Sequence, residues 1–245
     1  MGLSKLALDT AEKLRPVLLK IVPQSVLSSV KESIVRRNTD RLKNANIIPY
    51  DRTYREGINL IGNIRAETGL GQSTRLIADI LEASGEEYVL HDFFVPPGPS
   101  MNDHTHDDKI TDELPYDINI FHINASEFTL AFMNMGQNVW DHRYNIAYWL
   151  WELEEFPEEW LGCIDLVDEI WTPADFITNT LKKYTDKPVM TLPYCVEAPV
   201  SEEFDRAYFG LPDDKFLFLM MFASGSIMER KNPDSVFEAY KRAFG

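Results

Sequence analysis

Residues 57–83 read GINLIGNIRAETGLGQSTRLIADILEA, and the reading of this stretch decides the fold. INLIGNI is a short apolar run with the composition of a buried strand. Arg65 to Ser73 holds Gly69 and Gly71 among charged and hydroxylated neighbours, so it reads as a loop. From Thr74 to Ser84 apolar residues recur at helical spacing. A strand buried on both faces and followed by a helix belongs to a parallel sheet, and it needs further parallel strands beside it.

The downstream chain supplies them. YVLHDFF (88–94), INIFHIN (118–124), YNIAYWLW (144–151), EIWTP (169–173) and PVMTLPY (188–194) are predicted strands. Helical patterns at 127–136, 157–163 and 174–184 fall between them. This alternation predicts an α/β fold with a doubly wound, Rossmann-like parallel sheet. Residues 215–245, KFLFLMMFASGSIMERKNPDSVFEAYKRAFG, echo the opening device once, with FLFLMMF (216–222) as the strand and a helix from about Pro233. The expected organisation is a basic helical arm and linker over 1–50 and a Rossmann-like domain over 51–200. Over 201–245 come a connector and the first βα unit of a second, truncated Rossmann-like domain.

Net charge is −15 and unevenly spread. Residues 1–43 carry nine Lys/Arg against four acids, leaving 15 basic against 35 acidic residues in the rest. A body this acidic lacks the local positive charge that phosphate backbones require, so nucleic acid is excluded as a general partner. The arm combines helically spaced apolar residues with flanking basic ones over 3–35. It suits either peripheral contact with an anionic membrane or packing on a protein surface. No stretch approaches a membrane span, and the N-terminus lacks a secretory pattern. Cys163 and Cys195 have neither metal nor redox spacing, and are expected to be buried free thiols of a cytoplasmic protein. The expected location is the cytoplasm, with possible attachment to the inner face of the membrane.

In an open parallel sheet, ligands bind beyond the C-terminal ends of the strands. Four loops fall there. The 62–73 loop matches neither the dinucleotide turn nor a P-loop, which argues against a nucleotide-dependent oxidoreductase. Its glycines allow close backbone approach, and the following helix offers N–H groups to an anion or to sugar hydroxyls; a purely structural turn is the alternative. His122, Asn124 and Glu127 leave the third strand together and suit hydroxyl recognition, unless His122 is a bonded structural histidine. Trp149, Trp151 and Glu152 leave the fourth, an aromatic and acidic mixture suited to polyols. Alternation puts both tryptophans on one face and Tyr148 and Leu150 on the other, with one tryptophan in the core. Arg230 and Lys231 stand before a helix opened by Pro233, a pairing suited to a diphosphate or else a solvated basic pair. His104 and His106 lie in a polar loop with several Asp, read as solvated rather than as a zinc site.

The ordered set GNIRAETGLGQSTRLIADIL, FHINASE, YNIAYWLWELEEFPEEW, DLVDEIWTPADFITNTL and MERKNPDSVFEAYKRAFG resembles family 4 glycosyltransferases of the GT-B fold, across roughly 57–245. That resemblance implies two Rossmann-like domains, transfer from a nucleotide-sugar with retention of configuration, and no required metal or cofactor. Partners would be the nucleotide-sugar and a glycan or lipid-linked acceptor. It places Gly69, Gly71, Arg230 and Lys231 at the donor diphosphate. Arg65, Glu67, Thr68 and Asn124 fall on the acceptor side, and His122, Trp151 and Glu152 are the catalytic candidates. The chain departs from the family at two points. Trp151 and Glu152 stand where many members carry a His. The usual arginine six residues before Lys231 is Gly225, so either Arg230 substitutes or the subfamily differs. The family's paired glutamates would lie beyond Gly245, so the chain alone is expected to be inactive. The competing class is a non-catalytic sugar- or partner-binding module of the same fold.

Overall fold

The computed structural model describes residue 42 and residues 45–94, 99–222 and 228–245. The predicted arm over 3–35 lies outside these residues. The chain divides between Val196 and Glu197 into two units, each taken by itself below.

The first unit is a six-stranded sheet, parallel at every pairing, in the order β2-β1-β3-β4-β5-β6. The strands are β1 (Arg55–Gly62), β2 (Tyr88–Asp92), β3 (Tyr116–His122), β4 (Tyr144–Tyr148), β5 (Glu169–Thr172) and β6 (Val189–Thr191). The helices are α1 (Gly69–Ser84), α2 (Ala125–Met135) and α3 (Asp175–Leu181), with a 3-10 segment at Glu158–Leu166. This is the Rossmann-like α/β sheet the alternation predicts. Strand ends fall earlier than the apolar runs suggest: the β4 run continues to Trp151, but pairing stops at Tyr148. Helix α1 starts five residues sooner than its apolar period, because the Thr68 hydroxyl accepts from the Gly71 N–H and caps it.

Alternation along the strands builds two cores. Leu60, Ile120, Ile146 and Tyr148 pack with Ile77, Ala78 and Leu81 of α1. Ile61, Phe121, Ala147 and Trp149 pack with Phe128 and Phe132 of α2 and with Ile177 and Leu181 of α3. Both faces are therefore covered, as a parallel sheet requires. Phe121 stacks on Trp140 at 4.7 Å, and Trp149 stacks on Phe156 at 5.7 Å.

Beneath the second core runs a ladder of buried amides. Asn59, Asn119 and Asn145 occupy matched register positions on β1, β3 and β4. Asn59 Nδ2 donates to Asn119 Oδ1 at 2.9 Å, and Asn119 Nδ2 to Asn145 Oδ1 at 2.8 Å. Slipping either pair by one residue would break these bonds and bury the amides unpaired among apolar side chains. Close by, Arg143 is buried beneath the ring of Tyr54, its guanidinium carbon 3.5 Å from the ring centre. It donates to the carbonyls of Leu114, Tyr116, Asn138 and Val139 at 2.7–3.0 Å. It thereby ties the turn before β4 to the start of β3.

The second unit holds two helices among its described residues, α4 (Met228–Lys231) and α5 (Pro233–Phe244). The predicted strand at 216–222 is not formed. A lone parallel strand has nothing to pair with, and its apolar side chains stay outside: Phe216 is 84% and Leu219 83% exposed. Phe218 instead meets Tyr240 and Phe244 of α5, each with ring centres 5.4 Å apart.

Candidate functional site

Strand order places a switch point between β1 and β3. From β1 the chain crosses to β2 on one side, then returns past β1 to β3 on the other. Connections leave in opposite directions there, which opens a crevice at the strands' C-terminal ends. Gly62 and His122 are register partners at that edge. A Cβ at Gly62 would lie 2.7 Å from Thr74 Cγ2 and 2.9 Å from the His122 carbonyl oxygen, so α1 sits hard against both strand ends.

The 63–68 loop is held from beneath by Arg75. This buried side chain donates to the Ile64 and Ala66 carbonyls at 2.6 and 3.1 Å and pairs with Asp103 at 3.2 Å. Asp103 in turn donates its N–H to the Arg65 carbonyl. Arg65 itself points outward to Asp107 at 2.9 Å, an ion pair that holds the Asp107 carboxyl below its ordinary range. Glu67 and Thr68 are exposed; the Glu67 N–H donates to the Ser100 carbonyl. The two glycines differ. Gly71 is buried, and a Cβ there would lie 2.0 Å from the Ala66 carbonyl oxygen, whereas Gly69 faces open space. Gly71 is therefore demanded by packing, and Gly69 is the position that leaves the head of α1 approachable. Gly71→Ala is expected to destabilise the protein by roughly 2 kcal/mol, about 4–8 °C in Tm, while Gly69→Ala stays within about 0.5 kcal/mol of wild type. Differential scanning calorimetry of the two variants checks this; equal melting would refute the distinction.

His122 is fully buried between two hydroxyls. Thr74 Oγ1 donates its hydrogen to the Leu70 carbonyl at 2.8 Å, so toward His122 Nδ1, 2.9 Å away, it accepts. The neutral ring thus carries its proton on Nδ1, and the lone pair of Nε2 accepts from the Tyr194 hydroxyl at 2.8 Å. Tyr148 lies beside the imidazole, ring centres 5.0 Å apart. Burial depresses the His122 pKa to about 4 and raises that of Tyr194 to about 12, so both are neutral near pH 7.

Asn124 and Glu127 continue the same edge at the head of α2. The Glu127 carboxylate accepts from the Asn124 N–H, and burial raises its pKa. Asn124 Oδ1 and Glu127 Oε2 are buried atoms with no partner among the described residues. The buried His122 and the half-buried Asn124 and Glu127 therefore each bring a buried acceptor atom to this edge.

Beyond β4, Trp149 is in the core. Trp151 is half-buried, donates to the Glu155 carbonyl at 2.8 Å and packs edge-on to Trp160. Glu152 is exposed. Arg230 and Lys231 lie on α4 of the second unit, within one helical turn rather than a loop. Cys163 is buried as expected, but Cys195 is exposed, because β6 ends at Thr191 and the chain has left the sheet by then. His104 and His106 make separate contacts with Asp107 and Asp79. Among the described residues, no cluster of three or more His, Cys, Asp or Glu is placed to hold a metal. No helix among them is long and apolar enough to cross a membrane.

The sequence reading did not single out Arg75, Thr74 or Tyr194. Arg75 was within reach of it: it is four residues after Gly71 and three before Ala78, so helical spacing already turns it inward. Compared with known proteins, the chain matches no protein-family model and no curated protein.

Proposed function

We propose that the chain contributes the acceptor-binding part of a retaining glycosyltransferase that uses a nucleotide-sugar donor, in the manner of the GT-B enzymes its motifs resemble. The observation that carries this reading is the acceptor-bearing edge at the switch point. Asn124 Oδ1 and Glu127 Oε2 lack a hydrogen-bond donor, His122 Nε2 has only the Tyr194 hydroxyl, and sugar hydroxyls are donors suited to such an acid-lined edge. The exposed Gly69 at the head of α1 suits a close-lying phosphate or hydroxyl. In this reading Arg230 and Lys231 belong to the donor diphosphate, where cations stabilise the leaving group. Trp151 and Glu152 form the flank of the sugar site.

Two arms test it. Residues 1–245 alone, incubated with labelled UDP- and GDP-hexoses and glycan or lipid-linked acceptors, are expected to transfer no sugar. The polypeptide extended to its natural stop is expected to transfer with retention, and Asn124→Ala or Glu127→Gln to lower its kcat/KM by roughly 10–100-fold. A stop codon directly after Gly245, or an extended chain without transfer, sinks the enzyme and leaves the binding module. One observation favours that module: residues 216–222 expose a row of large apolar side chains without forming a strand.

A further inference from the structure

The crevice at the switch point is filled by the chain itself. Tyr194 lies three residues beyond β6, in the segment that leaves the sheet, and its hydroxyl ends on His122 Nε2 at 2.8 Å. The same segment is held a second time, where the Tyr148 hydroxyl donates to the Leu192 carbonyl. The rings of Tyr148 and Tyr194 stack with centres 5.1 Å apart. The ring thus covers the imidazole from outside, while Thr74 and Leu70 fix it from within.

We propose that Tyr194 is a latch on this crevice: its hydroxyl occupies the one accepting nitrogen of His122, and an uncharged polyol takes that nitrogen only when Tyr194 swings away. The chemistry of Nε2 selects the occupant. A lone pair attracts an O–H donor and repels sulfate, a dianion that offers only acceptors. Asn124 Oδ1 and Glu127 Oε2 add acceptors on the residues that follow His122, so the edge discriminates in the same sense throughout. The latch stands on geometry alone; the polyol as ligand rests on the transferase reading. Releasing Tyr194 breaks its hydrogen bond to His122, its hydroxyl's contacts with the Ser73 and Tyr148 side chains and a ring stack, all neutral interactions that a ligand replacing the hydroxyl can offset.

The test uses residues 1–245 with uniform ¹⁵N labelling, as wild type, Tyr194→Phe and Tyr194→Ala, with methyl α-D-glucopyranoside as the polyol probe and sulfate as the anion control. Wild type is expected to show the Nδ1–H tautomer of His122. Tyr194→Phe removes only the hydroxyl, and so serves if Tyr194→Ala folds poorly. It is expected to keep that tautomer, to speed amide exchange at Leu192, Tyr194 (Phe in the variant) and Cys195 about tenfold, and to bind the glucoside about tenfold more tightly, read as a shift of His122 Nε2. Sulfate should leave Nε2 unmoved. An Nε2–H tautomer, unchanged exchange, or glucoside binding no tighter in the variants than in wild type overturns the latch. None of these readouts involves sugar transfer, so they succeed or fail separately from the transferase assay.

Discussion

Arg143→Met is expected to destabilise the first unit by roughly 4 kcal/mol, the largest effect of any single substitution considered. The side chain is 4% exposed and makes no close ion pair among the described residues; its charge is met by four carbonyls, the Tyr54 ring and, at longer range, the Asp141 carboxylate. Met matches its length and keeps the apolar stem buried, but it donates nothing. Val139 keeps a second donor in Asn119 Nδ2, at 2.8 Å, and Tyr116 keeps Asn59 Nδ2, at 2.9 Å, so the Leu114 and Asn138 carbonyls are the two that lose their partner outright. Each unpaired buried carbonyl costs about 1–3 kcal/mol, partly offset because the guanidinium no longer has to be desolvated. Arg143→Lys should fall between, since one ammonium cannot span carbonyls from two separate segments. Urea unfolding measures both, and a loss under about 1 kcal/mol for the Met variant would show that the carbonyls find other donors.

Acidification from pH 6.5 to 4 is expected to remove roughly 3 kcal/mol of stability through His122. The sign follows from where the protons go. Burial lowers the folded pKa to about 4 from an ordinary 6.5, so between these values the unfolded chain binds a proton that the folded chain does not. The stabilisation is complete above the unfolded value and is lost as pH falls through the folded one. Glu127 acts in the opposite sense: its carboxyl is raised by burial, so its contribution improves as it takes up a proton. The His122 part is isolated by subtracting the curve of His122→Asn, which lacks the imidazole. Parallel curves for the two proteins across pH 4–6.5 would refute the assignment.

The six strands were legible because each apolar run is bounded by polar or breaker residues, and the two-face alternation of Tyr148 to Trp151 could be read from period alone. What misled was context. The run 216–222 has all the composition of a buried strand, yet pairing depends on a neighbour, which composition does not encode. Gly69 and Gly71 look equivalent in sequence; only the Ala66 carbonyl separates them. Tyr194 was unreadable because its partner His122 is 72 residues away. The amide ladder, by contrast, had left a trace. Asn59, Asn119 and Asn145 each interrupt an apolar run one residue after its start, in INLI, INIF and YNIA, and three such coincidences mark one polar row across a sheet.

The strand order has a consequence for how the chain is made. β1 lies inside the sheet, but its second neighbour is encoded 60 residues later, the separation of Asn59 from Asn119. At a ribosomal rate of roughly 5–20 residues per second, β1 waits about 3–12 s after its own synthesis before β3 emerges. Only in the second half of that interval is β2 available to pair with β1 beside α1, and even then the other face is bare and one edge of β1 is unpaired. Asn59 stands on that bare side. Until Asn119 arrives its amide keeps its water, and an edge still hydrated at one point is a poor template for the wrong chain.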